Sequence, residues 1–402
     1  TMAAREKPRF TCPVLEAEHV AQVSIPFPHI EDEDHGVKAI LEEHGFAIVT
    51  DVLSSPELEG LEDSLQQDLT ELMGSGATGP VAAALKVAQT KGVGSWPDAS
   101  LRALGIKGRF QLHGLPQGRF AWGARLHPNV RRVYQILHET EDLVSSCDNS
   151  FAANKAAPEA ADNDYWPHVD QNDHDKSIKA AAWEVYQGLL YVWSSEGTRA
   201  STTVVWPGSH KLYSSYMADP LLKKRGQKQS HFTAISMMQP GPEKERLDQG
   251  WRQYARRVPV PAGGLLLWSS RTTHQGWSGG PRLAQPVCWE PTERRDQRAY
   301  ERKLALCALG LPSTHWASLG LPHHLVAPVK PTATPQETGS GPSGDGVVFP
   351  LRALVRSVGL VHGARAEEIW DHFAGQDLGK PLAVELVNLL ERSVSQEFKA
   401  VL

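Results

Sequence analysis

Four short runs of apolar, aromatic and β-branched residues constrain the fold of this chain more than any other feature. They cover residues 183–193, 202–206, 264–268 and 283–289, and Gly, Pro and Ser divide them. β-Branched and aromatic side chains pack well on a pleated surface, and the dividing residues favour turns. The sequence therefore predicts an antiparallel β core in the central part of the chain.

Helical periodicity precedes and follows this core. A helix is predicted over Val37–His44, because Gly45 can take the left-handed conformation that ends a helix, and residues 46–49 follow as a strand. Leucines at helical spacing predict a second helix over residues 58–72 and a third over residues 382–394. We expect the C-terminal helix to cover the sheet or to join a homodimer.

Composition and net charge argue against nucleic-acid and membrane partners. The chain has 402 residues, 41% hydrophobic and 22% charged, and its formal net charge of -5 provides no overall attraction for nucleic acid or an anionic membrane. No stretch approaches the roughly 18 apolar residues that span a bilayer, and no signal-peptide pattern is present. The four cysteines form neither a CxxC pair nor a disulfide framework. We therefore expect no nucleic-acid or membrane partner and a reducing, cytoplasmic location.

The most informative motif is His168-Val169-Asp170. In a strand, residues two apart project from the same face, so the imidazole and the carboxylate lie together. His274 follows a predicted strand and is the candidate for a third ligand. Two imidazoles and one carboxylate leave the opposite positions of a metal ion open, which suits Fe(II) and also admits Mn, Co, Ni or Zn.

Histidine spacing alone is a weak signal, because the chain has 17 histidines. A solvated or core histidine explains any one of them. Arg282 favours the metal site over these simpler explanations, since it stands just ahead of the predicted strand at residues 283–289. A guanidinium can bind the distal carboxylate of a dicarboxylic cosubstrate bidentately, which lysine cannot.

Several dispersed tracts resemble the phytanoyl-CoA dioxygenase-like family of Fe(II)/2-oxoglutarate oxygenases, and its fungal-type members above all. The resemblance extends over residues 36–290. The tracts that carry it are residues 45–49, 141–148, 186–190, 207–211 and 267–274. It implies an α+β fold with a double-stranded β-helix core, that is, a jelly roll or cupin-like core, flanked by helices.

The resemblance also implies roles for individual residues. His168, Asp170 and His274 would bind Fe(II) and form the catalytic centre, and Arg282 would form a salt bridge with 2-oxoglutarate. Gln187 would contact the cosubstrate as well, or it is simply a polar residue of a core strand. The implied reaction uses O2, decarboxylates 2-oxoglutarate to succinate, and oxidises a C–H bond of a small molecule by hydroxylation, desaturation or oxidative cyclisation. An amino acid or a secondary metabolite is the expected substrate.

The sequence predicts four segments along the chain. These are an N-terminal extension over residues 1–35, an oxygenase domain over 36–310, a loop rich in Pro and Gly over 311–346, and a C-terminal helical cover over 347–402.

Candidate substrate contacts lie outside the metal motifs. Arg119, Trp122 and Arg125 would bind a carboxylate near the pocket, although surface arginines and a core tryptophan explain them equally. Phe349, in the apolar residues 347–349, would fold back as a lid, with ordinary packing as the alternative.

Other functions remain open at this point. A cupin-type metalloenzyme without a cosubstrate, a nucleic-acid demethylase and a noncatalytic binding protein of the same fold would each carry part of the pattern. Ser209-His210 could suggest nucleophilic catalysis, but no Gly-x-Ser-x-Gly elbow surrounds the pair, and a structural turn explains it.

Overall fold

The chain forms two compact units in a computed structural model. Unit 1 consists of Thr1–Val52 and Pro158–Arg282, and unit 2 of Leu53–Ala157 and Leu283–Leu402. The residues that the structure describes are 9–32, 36–74, 83, 86–87, 89–96, 109–111, 114–174, 183–197, 200–226, 233–234, 241–322, 381–394 and 396–402. The four predicted segment limits stay predictions, and most of the predicted loop at 311–346 lies outside the described residues.

The secondary structure of the described residues mixes strands and helices throughout the chain. The strands are β1 Arg9–Phe10, β2 Ser24–Pro26, β3 Phe46–Thr50, β4 Arg109–Phe110, β5 Leu143–Ser145, β6 Ser150–Ala153, β7 Asn163–Asp164, β8 His168–Val169, β9 Tyr186–Tyr191, β10 Thr202–Val205, β11 Thr233–Ala234, β12 Arg256–Arg257, β13 Leu265–Ser269, β14 His274–Trp277, β15 Arg282–Val287 and β16 Trp289–Pro291. The helices are α1 Ala17–Val23, α2 Val37–His44, α3 Ser55–Gly74, α4 Arg119–Arg125, α5 Pro128–His138, α6 Tyr213–Met217, α7 Pro220–Gly226, α8 Pro242–Arg252, α9 Gln297–Ala308, α10 Val384–Ser393 and α11 Gln396–Val401.

Unit 1 is built on two groups of paired strands. The five-stranded sheet has the order β11-β8-β14-β10-β12, and its neighbours pair antiparallel. The second sheet contributes the order β2-β3-β13-β9, in which only β2 and β3 are parallel. Side chains of the two sheets meet, since the Tyr191 hydroxyl of β9 lies 3.1 Å from Thr202 Oγ1 and 3.4 Å from Thr203 Oγ1 of β10.

Three of the four predicted runs, over residues 183–193, 202–206 and 264–268, lie in unit 1 and are largely buried, whereas the run over residues 283–289 belongs to unit 2. All six residues of β9 are buried, and Leu265, Leu266 and Leu267 of β13 have no exposed surface. Helix α2 has the predicted limits, and Gly45 ends it with a φ of 82° while its N–H donates to Leu41 O. The chain then enters β3 directly, so this helix-to-strand prediction is confirmed.

Unit 2 contains the predicted leucine-rich helix, which is α3. Its buried face includes Leu61, Leu65 and Leu69, as the spacing predicts. Glu57 closes the start of the helix as in one half of a capping box, because its Oε2 accepts hydrogen bonds from both the N–H and the hydroxyl of Ser54 at 2.7 Å. The predicted C-terminal helix is α10, in which Leu386 and Leu390 are fully buried.

These elements confirm the mixed helical and stranded character of the chain. Strands β8, β9, β10, β13, β14 and β15 fall in the central region, where the sequence predicts the β core. All four cysteines are free and buried. Over the described residues, every helix is too short or too polar to cross a bilayer.

Candidate metal centre

His168, Asp170 and His274 lie together in unit 1. One nitrogen of each histidine and one carboxylate oxygen of Asp170 lie within 4.8 Å of one another. The His168 Nε2 atom is 3.6 Å from Asp170 Oδ1, and His274 Nε2 is 3.3 Å from Asp170 Oδ2. The structure therefore brings the three predicted ligands into one cluster, although His274 is remote in sequence from His168 and Asp170.

Strand pairing produces this cluster. His168 of β8 stands opposite His274 of β14 in an antiparallel pair, and opposite Ala234 of β11 on its other side. Asp170 leaves β8 with its N–H bonded to Ser270 O at 3.1 Å, which holds it beside the end of β13. Opposite residues of antiparallel strands share a face, so both imidazoles project to the same side.

Backbone carbonyls determine which nitrogen of each imidazole faces the cluster. His168 Nδ1 lies 3.3 Å from Trp166 O, and His274 Nδ1 lies 3.0 Å from Thr272 O. A carbonyl oxygen can only accept, so each Nδ1 carries the hydrogen and each Nε2 presents a lone pair. Fixing the outer nitrogen in this way is the usual second contact of a metal-binding histidine.

Two tryptophans enclose the imidazoles. Trp166 is stacked on His168 with ring centroids 4.6 Å apart and an interplanar angle of 9°, and Trp268 lies 5.2 Å from the His274 ring. His168 and His274 are only 9% and 6% exposed. The stacked rings restrict rotation of the imidazoles and exclude water from one side of the cluster.

Gln187 projects toward the same side of the second sheet as Trp268. The two are register partners on β9 and β13, and opposite residues share a face. Gln187 is 5% exposed, and its Nε2 atom has no hydrogen-bond partner among the described residues. The contact of Gln187 with a cosubstrate stays a prediction.

Arg282 begins β15 and is bound to Tyr191 of β9. Burial lowers the pKa of Arg282, and the charge interaction and hydrogen bond with the Tyr191 hydroxyl partly offset this. Tyr191 lies on the same face of β9 as Gln187, because the two are an even number of residues apart. Sequence reasoning missed Tyr191, whose place on this face follows from the two-residue period of the strand.

Gly276 lies on the inner face of β14 between these groups. It is two residues after His274, and its register partner is Thr203, whose hydroxyl is 3.4 Å from that of Tyr191. Among described residues, the only atom within 4 Å of an added Cβ would be Trp166 Cζ2 at 3.8 Å. A side chain at this position would project from the same face of β14 as His274, where an added Cβ has room among the described residues.

The predicted substrate residues lie in unit 2 or outside the described residues. Arg125 has no exposed surface, donates to the carbonyl oxygens of Pro116 and Asp148, and packs on Trp122. Arg119 donates its N–H to Asp68 and forms an ion pair with it at 3.4 Å. Phe349 is not among the described residues. Their roles in substrate binding stay predictions.

The cluster fits a divalent metal ion. First-row ions bind such donors at about 2.0–2.2 Å, which places donors at right angles about 3 Å apart. The separations of 3.3 Å and 3.6 Å from Asp170 to the imidazoles are close to this value. A cation at this place would be bound by the two Nε2 lone pairs and attracted by the Asp170 carboxylate. Three donors on one side leave positions for further ligands.

Comparison with known proteins gives distant similarities. No family model matches the chain. It is 25% identical to Ava biosynthesis cluster protein O of Aspergillus versicolor over 230 residues, which are 56% of this chain and 70% of that protein. Among solved structures it is similar to the epimerase SnoN in complex with Fe3+, alpha ketoglutarate and nogalamycin RO, with 15% identity, a TM-score of 0.36, and coverage of 63% of this chain and 81% of that chain.

A second similar structure is HygX from Streptomyces hygroscopicus with nickel and 2-oxoglutarate bound. The identity is 16%, the TM-score is 0.37, and the similarity covers 63% of this chain and 85% of that chain. Both of these structures contain a metal ion together with 2-oxoglutarate, which is the alpha ketoglutarate of SnoN. Similarities with TM-scores this low do not assign a function to the chain. The metal centre itself is the basis for the proposed function.

Proposed function

We propose that this chain is a non-haem Fe(II)- and 2-oxoglutarate-dependent oxygenase that oxidises a C–H bond of a small organic molecule. We place it in the phytanoyl-CoA dioxygenase-like family, with the two sheets of unit 1 as a double-stranded β-helix core. The observation that carries the proposal is the convergence of His168 Nε2, His274 Nε2 and the Asp170 carboxylate. Two imidazoles and a carboxylate with open positions are the ligand set of non-haem Fe(II) oxygenases.

The cosubstrate assignment is supported by the buried groups beside the cluster. Arg282 stays charged in a buried position, where it can donate two parallel hydrogen bonds to a carboxylate. The Tyr191 hydroxyl holds the guanidinium, and the Gln187 amide supplies a further buried donor. One carboxylate of a dicarboxylic cosubstrate would bind the metal ion, and its other carboxylate would bind Arg282.

The residues of the chain supply binding and orientation. His168 and His274 hold the metal ion through Nε2, and the carbonyl oxygens of Trp166 and Thr272 keep the protons on Nδ1. Asp170 neutralises one positive charge of the ion. When bound, Fe(II) and 2-oxoglutarate together with O2 supply the oxidising chemistry, with succinate and CO2 as products. Hydroxylation, desaturation or oxidative cyclisation then depends on which hydrogen the pocket presents.

The experiment is an anaerobic titration of the protein with Fe(II) and 2-oxoglutarate. We expect a visible metal-to-ligand charge-transfer band, and release of succinate after O2 is admitted with candidate amino acids or secondary metabolites. Absence of both the band and succinate would overturn the proposal.

A pair of aspartate variants sharpens this experiment. Asp170→Ala removes a metal donor and should abolish the band. Asp173→Ala removes a carboxylate three residues later, whose Oδ1 accepts the Tyr213 hydroxyl at 2.7 Å, and should retain the band. Loss of the band in both variants would point to general damage to the loop.

A further inference from the structure

The turn between β13 and β14 leads directly into His274, and a distant segment of unit 1 fixes it. Ser209 Oγ accepts a hydrogen bond from the N–H of Thr273 at 2.8 Å. On the other side of the same residue, the Thr273 carbonyl accepts from the N–H of Trp206 at 3.1 Å. Ser209 and Thr273 are 4% and 3% exposed, so water cannot readily replace either bond.

A second segment fixes the same turn from the N-terminal part of the chain. Thr272 Oγ1 donates to the carbonyl oxygen of Gly45 at 2.6 Å, and the Ser269 N–H donates to that oxygen at 3.1 Å. Thr272 has no exposed surface. The hydroxyl therefore ties the turn to the junction between α2 and β3.

The two segments that fix the turn also contact each other. The N–H of Gly208 donates to His44 O at 2.8 Å, and His210 Nε2 is bonded to Glu42 O at 2.9 Å. Gly45 has a φ of 82°, and a Cβ there would overlap His210 Nδ1. Only glycine fits at position 45, where the two segments contact each other. Gly45 and the Pro-Gly-Ser-His tract therefore stabilise the same contact.

The turn positions the metal ligand His274 through one atom, the carbonyl oxygen of Thr272. Thr272 O accepts the hydrogen of His274 Nδ1 at 3.0 Å, so the position of this carbonyl sets the tautomer and the tilt of the imidazole. We propose that Ser209 and Thr272 are positioning residues of the metal centre: their hydroxyls lock the turn so that His274 Nε2 points at the ion. The proposal rests on the metal-binding function proposed above.

This network also accounts for three of the tracts that carry the family resemblance. Residues 45–49, 207–211 and 267–274 are remote in sequence, and Gly45, Ser209 and Thr272 are the points at which they meet. The Ser209 hydroxyl is used as an acceptor for a backbone N–H. It acts on the metal centre through the turn, without touching the ion.

The test measures metal affinity in the full-length protein after removal of metal by chelation. Co(II) is titrated anaerobically into the wild-type protein, Ser209→Ala and Thr272→Val, and the ligand-field absorption gives the Kd. We expect both variants to bind Co(II) about tenfold more weakly, in line with the loss of an outer contact of a metal ligand. Thr272→Ser restores the hydroxyl and should recover the wild-type Kd.

Ser201→Ala is the matched control. Ser201 is also 4% exposed, and its Oγ accepts the N–H of Gly279 at 3.0 Å and donates to the carbonyl oxygens of Gly279 and Gly280, so the variant loses the same kind of accepted bond and more elsewhere in unit 1. We expect Ser201→Ala to lower the Tm of the metal-free protein at least as much as Ser209→Ala does, while only Ser209→Ala raises the Kd for Co(II). Nitrogen-edited NMR of the metal-free protein should show a change of His274 tautomer only in the Ser209 and Thr272 variants.

The outcomes separate the two proposals. If the wild-type protein binds Co(II) but Ser209→Ala and Thr272→Val bind it within twofold of wild type, the positioning role is wrong and the metal centre stands. The positioning role is also wrong if Ser201→Ala weakens binding as much as Ser209→Ala. If the wild-type protein itself binds no Co(II) or Fe(II), both proposals are overturned.

Discussion

His168 and His274 stand directly opposite each other on β8 and β14, with their ring centroids 4.4 Å apart. Opposite residues of an antiparallel pair share a face, so the strand pairing alone places two imidazoles side by side. Two protonated rings at this distance would repel each other, whereas two neutral rings can share one cation. The cross-strand pair is therefore suited to a metal ion.

Removing either ring should abolish metal binding. In His168→Ala or His274→Ala only two donors remain, and the site loses the geometry of a three-donor face. Isothermal titration with Fe(II) under anaerobic conditions measures the effect. His29→Ala is the control, because the His29 side chain is 63% exposed and lies apart from the cluster in a 3-10 helix. Retained affinity in His168→Ala would contradict the assigned ligand.

Arg282 should matter for the cosubstrate and not for the metal ion. Arg282→Ala removes a charged hydrogen-bond donor, and such bonds are worth about 1.5–3 kcal/mol, so 2-oxoglutarate should bind roughly 10- to 100-fold more weakly. Arg282→Lys keeps the charge but loses the bidentate geometry and should recover only part of the affinity.

Tyr191→Phe provides the matched comparison for this variant. It removes only the hydroxyl that holds Arg282, so we expect a smaller loss of 2-oxoglutarate affinity and unchanged Fe(II) affinity. Anaerobic titration of the charge-transfer band with 2-oxoglutarate measures both variants. Equal weakening of Fe(II) and 2-oxoglutarate by Arg282→Ala would refute the separate roles.

The local parts of the site could be predicted from the sequence. The two-residue spacing predicts that His168 and Asp170 lie together, which they do although β8 ends at Val169, and the left-handed preference of glycine marks Gly45 as the end of α2. Both predictions depend on neighbours in the chain, where backbone geometry alone decides the outcome.

The long-range parts could not be predicted, because no local rule specifies which strands pair. β8 is only two residues long, yet its pairing with β14 creates the cluster. The hydrogen bonds that Thr273 donates to Ser209 and Arg282 donates to Tyr191 likewise connect segments brought together only by the completed sheets. Sequence patterns identify such residues as polar or small without showing what they contact.

Gly276 should tolerate a methyl group and not a larger side chain. Gly276→Ala places a Cβ at an ordinary van der Waals distance of 3.8 Å from Trp166 Cζ2, so stability should change little. Gly276→Leu should fill the space between the metal ion and the Tyr191 hydroxyl, which weakens 2-oxoglutarate binding at least about tenfold while Fe(II) binding persists. Titration of both ligands in both variants checks this. Unchanged 2-oxoglutarate affinity in Gly276→Leu would place the cosubstrate elsewhere.

In unit 2, Asp68 should make stability depend on pH. Its carboxylate has no exposed surface and accepts the N–H groups of Arg119 and Phe120, each at 3.0 Å. Burial raises the pKa of Asp68 to about 6, and these hydrogen bonds offset only part of that effect. An unfolded aspartate has a pKa of about 4, so the folded state holds the proton more tightly.

Because the folded state binds this proton more tightly, the free energy of unfolding should fall as pH rises from about 4 to about 6, by at most ~3 kcal/mol. Asp68→Asn has no proton to lose, so this part of the pH dependence should vanish, while the overall stability falls because the amide keeps only one of the two oxygens that accept the backbone N–H groups. Urea unfolding between pH 4 and pH 7 measures it, with Asp63→Asn on the exposed side of α3 as the control. The same pH dependence in wild type and Asp68→Asn would show that the carboxyl of Asp68 is not the titrating group.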